Sequence, residues 1–267
     1  MTGESLRLDG KVAVITGGGS GIGRAAAVSL GAAGASLVLV GRNADALEES
    51  ARLARETGVE AKTVVADVSR SEEVRRYVDE TVSSFGTVDV LVNNAAIEGL
   101  VAQLADYPED EFDRIVAVNL RGTFLGLRYT LPIMIDQGSG SVINMASIAA
   151  ERGLPGTCAY NASKHGVLGL TRSAASEVAG NGVRVNAICA GVVDTRMLRS
   201  LAEQFMPGQM DEALTAIAAV SPTQRLGTPE EIAVAIRFLA CDEAAFINGC
   251  AWAIDGGALG TMGGGWT

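Results

Sequence analysis

The chain has 267 residues, 48% of them hydrophobic, which is ample for a full core, and only 4% aromatic, while glycine and alanine abound, so its elements can pack closely. Its net charge is −10, from 21 Lys and Arg against 31 Asp and Glu; this argues against nucleic acid or an anionic membrane as the main partner. The four cysteines (Cys158, Cys189, Cys241, Cys250) form no CxxC pair, and no apolar run is long enough to span a bilayer. With no signal peptide to read, the expectation is reduced thiols in a cytoplasmic protein.

Short β-branched runs alternate with longer helical patterns. Val12–Thr16 predicts the first strand, 22–33 a helix, 36–40 a strand, 44–57 a helix, 63–65 a strand and Ser71–Phe85 a helix. Val90–Asn93 continues as a strand, 109–135 as one long helix, 141–145 as a strand, 159–179 as a helix, 184–188 as a strand, Pro229–Ala240 as a helix and Ala251–Ile254 as the last strand. Strands apolar on both faces fit a parallel sheet covered on both sides. The strand–helix alternation predicts an α/β doubly wound parallel sheet, a Rossmann fold in three layers and a single domain over 1–267. One segment, 192–228, breaks the rhythm. It is long and Met-rich, with Pro207 and Pro222, and reads as a substrate-binding lid, with a plain surface helix pair as the alternative. A glycine-rich tail follows Asp255.

Thr16-Gly17-Gly18-Gly19-Ser20-Gly21-Ile22-Gly23 joins the first strand to the first helix. Glycine allows a sharp turn and close approach to a pyrophosphate, and the helix start offers unpaired N–H groups and a positive dipole end. The strict G-x-G-x-x-G string is absent. At the end of the second strand, where a carboxylate would hold the ribose 2′-OH of NAD, the chain has Gly41 and Arg42. An arginine there suits a 2′-phosphate, which points to NADP, with NAD as the alternative. Asp67 ends the third strand, next to Val68, and would accept from the adenine amino group or else cap a nearby turn.

Tyr160 and Lys164 are four residues apart in a predicted helix, so both side chains share one face. A neighbouring ammonium favours the phenolate and pulls the phenol's pKa down. Ser147 follows a buried strand thirteen residues upstream of Tyr160. Together they point to proton transfer at a carbonyl or alcohol beside a bound dinucleotide. The lone histidine, His165, is about 100° off that face and reads as structural or interfacial.

With these residues the chain resembles the short-chain dehydrogenase/reductase family, in its compact single-domain branch, over nearly its whole length. Gly17-x-x-x-Gly21-x-Gly23 resembles the cofactor loop, and Asn93-Asn94-Ala95-Ala96 the Asn-Asn-Ala-Gly segment, with Ala96 for glycine. Asn119, Ser147, Tyr160 and Lys164 fall where the family's catalytic tetrad falls. The family's Pro-Gly after the sixth strand is here Ala190-Gly191, which should loosen the turn carrying Val193 and Thr195 toward the nicotinamide amide.

The resemblance implies a hydride carried by the cofactor and a proton moved by the protein. Tyr160 is then general acid or base, Lys164 binds the nicotinamide ribose, Ser147 holds the substrate oxygen and Asn119 anchors a water leading from Lys164 to solvent. The substrate expected is a small, largely apolar ketone or secondary alcohol. Val101, Leu154, Met197 and Leu198 are apolar, and no basic patch suits a carrier protein. Ile97-Glu98-Gly99 resembles the same stretch in relatives acting on cyclic ketones, and Glu98 is expected at the pocket mouth.

Two other readings compete: a non-catalytic dinucleotide sensor, and a nucleotide-sugar epimerase or dehydratase. The first would be expected to lack Tyr160 or Lys164, and the second needs a larger substrate domain after Asp255. Family resemblance points to a homotetramer. Val116, Phe124, Leu127, Val167, Leu170 and Ala174 read as apolar residues beyond one buried stripe, and Ala251–Ile254 as an open sheet edge.

Overall fold

A computed structural model describes residues 6–260. The end of the glycine-rich tail, from 261 on, lies outside the described residues. Seven parallel strands form one sheet in the order β3-β2-β1-β4-β5-β6-β7. They are β1 Val12–Thr16, β2 Ser36–Gly41, β3 Ala61–Val65, β4 Val90–Asn93, β5 Gly140–Met145, β6 Val183–Ala190 and β7 Ala251–Ile254. Every residue of β1 and β4 is buried, as the unbroken apolar runs imply.

Helices cover both faces. On one lie α1 Gly21–Ala32, α2 Ala44–Arg55 and α9 Pro229–Ala240, packed through small residues such as Ala26, Ala27 and Ala235. On the other lie α3 Ser71–Phe85, α5 Gly122–Gln137 and α6 Cys158–Val178. Strand order reverses between β1, which pairs β2 on one side, and β4 on the other. In such sheets a ligand crevice opens beyond the carboxyl ends of the strands at that reversal.

The helix expected over 109–135 divides. It runs as α4 Glu109–Val116, a π-helical turn Ala117–Arg121, and α5. Apolar periodicity passes through the break, so the sequence pattern conceals it; π-turns of this kind often mark functional positions, and this one carries Asn119. The segment after β6 folds into α7 Arg196–Phe205 and α8 Met210–Ala218. Strand pairing runs on into the Ala190-Gly191 turn. Ala190 still pairs with Ile254, and the Gly191 N–H donates to the Ile254 carbonyl at 3.0 Å.

Candidate active site

A cavity of about 630 Å³ opens at the strand reversal. Its rim includes Gly17, Ser20, Gly21 and Ile22 from the glycine loop, Gly41 and Arg42 after β2, and Asp67 and Val68 after β3. Its floor holds Asn94, Ser147, Tyr160 and Lys164, and its far wall Val193, Thr195 and the apolar side of α7. One cavity thus gathers every expected cofactor residue except Gly23, which packs directly beneath the loop, and three of the four expected catalytic residues.

The glycine loop fits a pyrophosphate. A Cβ at Gly23 would sit 2.2 Å from the Gly17 carbonyl oxygen and 2.7 Å from Asn94 Nδ2. Asn94 Nδ2 donates to the carbonyls of Thr16 at 2.9 Å and Gly17 at 3.2 Å, pinning the loop from below. Ser20 is the N-cap of α1 without capping it through its side chain. The first amides of α1 lack partners within the helix, and Ser20, Gly21 and Ile22 line the cavity.

Asp67 does what a turn cap does. Its Oδ1 accepts from the Ser69 N–H at 2.9 Å and the Ser69 hydroxyl at 2.7 Å. Burial pushes its carboxyl up, but Ser69 and the nearby Arg42 outweigh that and hold it below its ordinary value. Arg42 is exposed at the cavity rim and makes no ion pair among the described residues. A guanidinium is therefore free to meet an anion at this end.

Tyr160 and Lys164 sit one turn apart on α6, with the Lys164 Nζ 5.6 Å from the centre of the Tyr160 ring. Lys164 is buried and donates to the Met145 carbonyl at 2.7 Å. Burial lowers its pKa to about 8. The Tyr160 phenol moves the other way from the expectation. Burial pushes it up to about 12, the Ser147 hydroxyl offsets part of this and the charge of Glu98 adds to it. Desolvation of the phenolate outweighs any help from the ammonium, so the phenol is held protonated at neutral pH. Ser147 also caps the short turn after β5, its Oγ accepting from the Ala149 N–H at 3.1 Å.

Asn119 is placed differently. Its side chain is buried outside the cavity lining, where Oδ1 accepts from the Ile97 N–H at 2.8 Å and Nδ2 donates to the Ile97 carbonyl at 3.0 Å. The π-turn lets this amide clamp the loop after β4. Nδ2 also donates to Ser163 Oγ at 3.2 Å, and Ser163 in turn donates to the Tyr160 carbonyl at 2.7 Å. The sequence signal for Ser163 is its place inside Tyr160-Asn161-Ala162-Ser163-Lys164, on the turn between the tyrosine and the lysine.

His165 is exposed and, among the described residues, bonds its own helix at the Asn161 carbonyl. All four cysteines are free. Cys189 is buried, its thiol pushed up to about 11 by desolvation, and neither it nor Cys158 lines the cavity. Val101 is also outside the lining, while Leu154, Met197 and Leu198 are in it.

A family model described as "Enoyl-(Acyl carrier protein) reductase" matches residues 17–258. The chain belongs to the short-chain dehydrogenase/reductase family. Levodione reductase of Leifsonia aquatica is 44% identical over 255 residues, which is 95% of this chain and 96% of that one. A crystal structure of levodione reductase superposes with a TM-score of 0.93 at 43% identity, covering 94% of this chain and 98% of that one. NAD⁺-bound xylitol dehydrogenase gives a TM-score of 0.90 at 35% identity over 93% and 99% of the two chains. An actinorhodin polyketide ketoreductase variant with NADPH gives 0.89 at 34% over 94% and 98%. The chain is thus an NAD(P)-dependent dehydrogenase/reductase, an oxidoreductase of the ketone–alcohol type. Among the described residues no helix is long and apolar enough to cross a membrane.

Proposed function

We propose that this enzyme reduces a small, largely apolar ketone, cyclic ketones included, to its secondary alcohol with NADPH, working in the cytoplasm as a homotetramer. The observation that carries the reading is the position of Tyr160: its phenol, held protonated, lies on the cavity floor between the glycine loop and the apolar wall of α7. When bound, the nicotinamide cofactor supplies the hydride. Tyr160 donates the proton to the substrate oxygen as negative charge develops there. Ser147 holds that oxygen by a hydrogen bond. Lys164, fixed by the Met145 carbonyl, binds the nicotinamide ribose and returns a proton to Tyr160 after turnover. Asn119 acts through Ile97 and Ser163 and keeps the floor in register, rather than through a side chain in the cavity.

Arg42 supports NADPH over NADH, because among the described residues no carboxylate pairs with its guanidinium and it follows β2 at the cavity rim, where an arginine suits a 2′-phosphate. Asp67 and Val68 flank the adenine, and Val193 and Thr195 the nicotinamide amide. The segment 192–228 works as the lid: Met197, Leu198, Leu201 and Phe205 of α7 and Ile217 of α8 close the substrate half with apolar surface. Levodione reductase, a relative of this chain, is named for a ketone, which agrees with a neutral carbonyl substrate. Catalytic groups meeting in one cavity speak against a sensor.

The test is to titrate both cofactors and then follow the reduced nicotinamide's absorbance over a panel of ketones and alcohols. Turnover of apolar ketones with NADPH is expected. Binding of neither cofactor, or turnover of none of the panel, would overturn the reading.

A further inference from the structure

The loop after β4 and the lid helix α7 meet at the cavity mouth through two separate devices. Gln204 of α7 clasps the loop: its Oε1 accepts from the Val101 N–H at 2.9 Å and its Nε2 donates to the Gly99 carbonyl at 3.1 Å. Arg196, at the start of α7, donates through Nη1 to Glu98 Oε1 at 2.9 Å and through Nη2 to Oε2 at 3.2 Å. The Glu98 side chain is only 10% exposed, the Arg196 side chain 69%. Burial pushes the Glu98 carboxyl up, but hydrogen bonds from Arg196, its own backbone and Ser200 outweigh that, so it stays ionised.

Charge is scarce along this cavity. Arg42 and Asp67 stand at its glycine-loop end and Lys164 lies in the floor, so among the described residues Arg196 is the only other charged side chain in the lining. A guanidinium beside Met197, Leu198 and Leu201 is a ready receptor for a carboxylate, since its fork matches both oxygens. Glu98 already takes its Nη1/Nη2 edge and neutralises its charge. The next cation near Glu98, Arg114, is taken by Glu111, which accepts from its Nε and Nη2 at 2.7 Å each.

We propose that Glu98 determines substrate charge: by pairing with both Nη atoms of Arg196 it neutralises the guanidinium, which weakens its pull on anionic substrates and restricts the site to neutral ketones and alcohols. The assignment rests on the reading of this cavity as a ketone site. Docking the lid does not require the ion pair, because Gln204 holds the same loop independently. A buried carboxylate is costly to retain without its partner, so the two charges act as a unit: remove Glu98 and the mouth is positive, remove Arg196 and it is negative.

The test compares kcat/KM for two probes: a neutral cyclic ketone that the wild type turns over, cyclohexanone first, and the same ring bearing a carboxylate. Wild type is expected to favour the neutral probe. Glu98→Gln, which keeps shape and loses charge, should move the ratio toward the carboxylate by about tenfold or more, because an unpaired like or unlike charge at a contact discriminates strongly. Arg196→Met should move it the other way, and the double variant should return it near wild type, so the result does not depend on one variant folding well. A wild type that uses both probes equally, or a Glu98→Gln ratio unchanged from wild type, overturns the proposal. A wild type that turns over no ketone of the panel overturns the ketone reading instead.

Discussion

The Lys164 ammonium lies 5.6 Å from the centre of the Tyr160 ring and is bound to the Met145 carbonyl at 2.7 Å, while the Ser147 hydroxyl eases the phenol's shift. The geometry holds the phenol and the ammonium apart on one helical face. Tyr160→Phe removes one oxygen and little volume. Cofactor affinity should stay near wild type while kcat falls by roughly 10²-fold or more, the usual worth of a positioned acid. Equilibrium cofactor titration and single-turnover rates measure the two effects separately. A Phe variant as fast as wild type in the chemical step would rule out Tyr160 as the donor.

The same pair gives a pH signature without cofactor. Lys164 titrates near 8 when folded, against an ordinary 10.5, so between those values the unfolded chain carries a proton the native state has lost. Stability from this residue therefore rises with pH from 8 toward 10.5, by roughly 3 kcal/mol at most. Tyr160 acts oppositely: its folded value of about 12, against 10.0, makes stability fall as pH climbs above 10. Thermal unfolding of wild type and Lys164→Met at pH 7 and pH 9.5 isolates the lysine. The wild-type Tm should gain on the variant's at the higher pH; parallel Tm values would contradict the assignment.

Arg42→Asp should shift cofactor preference from NADP toward NAD. It removes a cation at the cavity rim and adds a carboxylate that repels a 2′-phosphate but can accept from a free 2′-OH. The ratio of kcat/KM for the two cofactors reads it out. A wild type that already prefers NAD defeats the premise.

Gly23→Ala probes the cradle. The new Cβ would lie 2.2 Å from the Gly17 carbonyl oxygen and 2.7 Å from Asn94 Nδ2, so the loop must move off its Asn94 support. Overpacking of this kind costs about 1–3 kcal/mol in stability, and cofactor dissociation constants should rise with it. Unchanged cofactor affinity in a folded variant would show that the loop does not hold the pyrophosphate.

The parts legible in the sequence were those written as local periodicity or fixed spacing. The apolar runs of β1 and β4, the glycines opening α1 and the four-residue step from Tyr160 to Lys164 each follow from geometry along a single element. Long-range pairings were not legible. Nothing along the chain announces that Gln204 will clasp Gly99, or that Asn119 will turn away from the cavity to hold Ile97, because both depend on where a loop and a helix meet. The direction of the Tyr160 shift was also missed: spacing shows the neighbouring ammonium, but burial, which dominates, is a property of the packed fold. Three of the residues expected to need a partner chain, Leu127, Val167 and Ala174, are buried within the monomer, since a hydrophobic pattern does not distinguish a thick core from an interface.

What remains exposed still supports assembly. Phe112 on α4 and Phe124 on α5 are 38% and 42% exposed, and Val116 and Leu170 are half-buried. At the β7 end of the sheet, β7 pairs only with β6 among the described residues, which leaves its outer edge open there. Val234 of α9 is 53% exposed, and Phe246, shortly before β7 in the chain, is fully exposed. Two separate apolar surfaces, one on the α4–α5 side and one at the β7 edge, suit two different two-fold axes and hence a closed tetramer rather than a dimer. Size exclusion with light scattering should give a mass near four times the 27.4 kDa chain. Phe124→Asp, which places a charge on one surface only, should leave a dimer held through the other. A wild-type mass of one chain, stable across dilution, would refute the tetramer, and a Phe124→Asp variant that stays tetrameric would remove α5 from the interface.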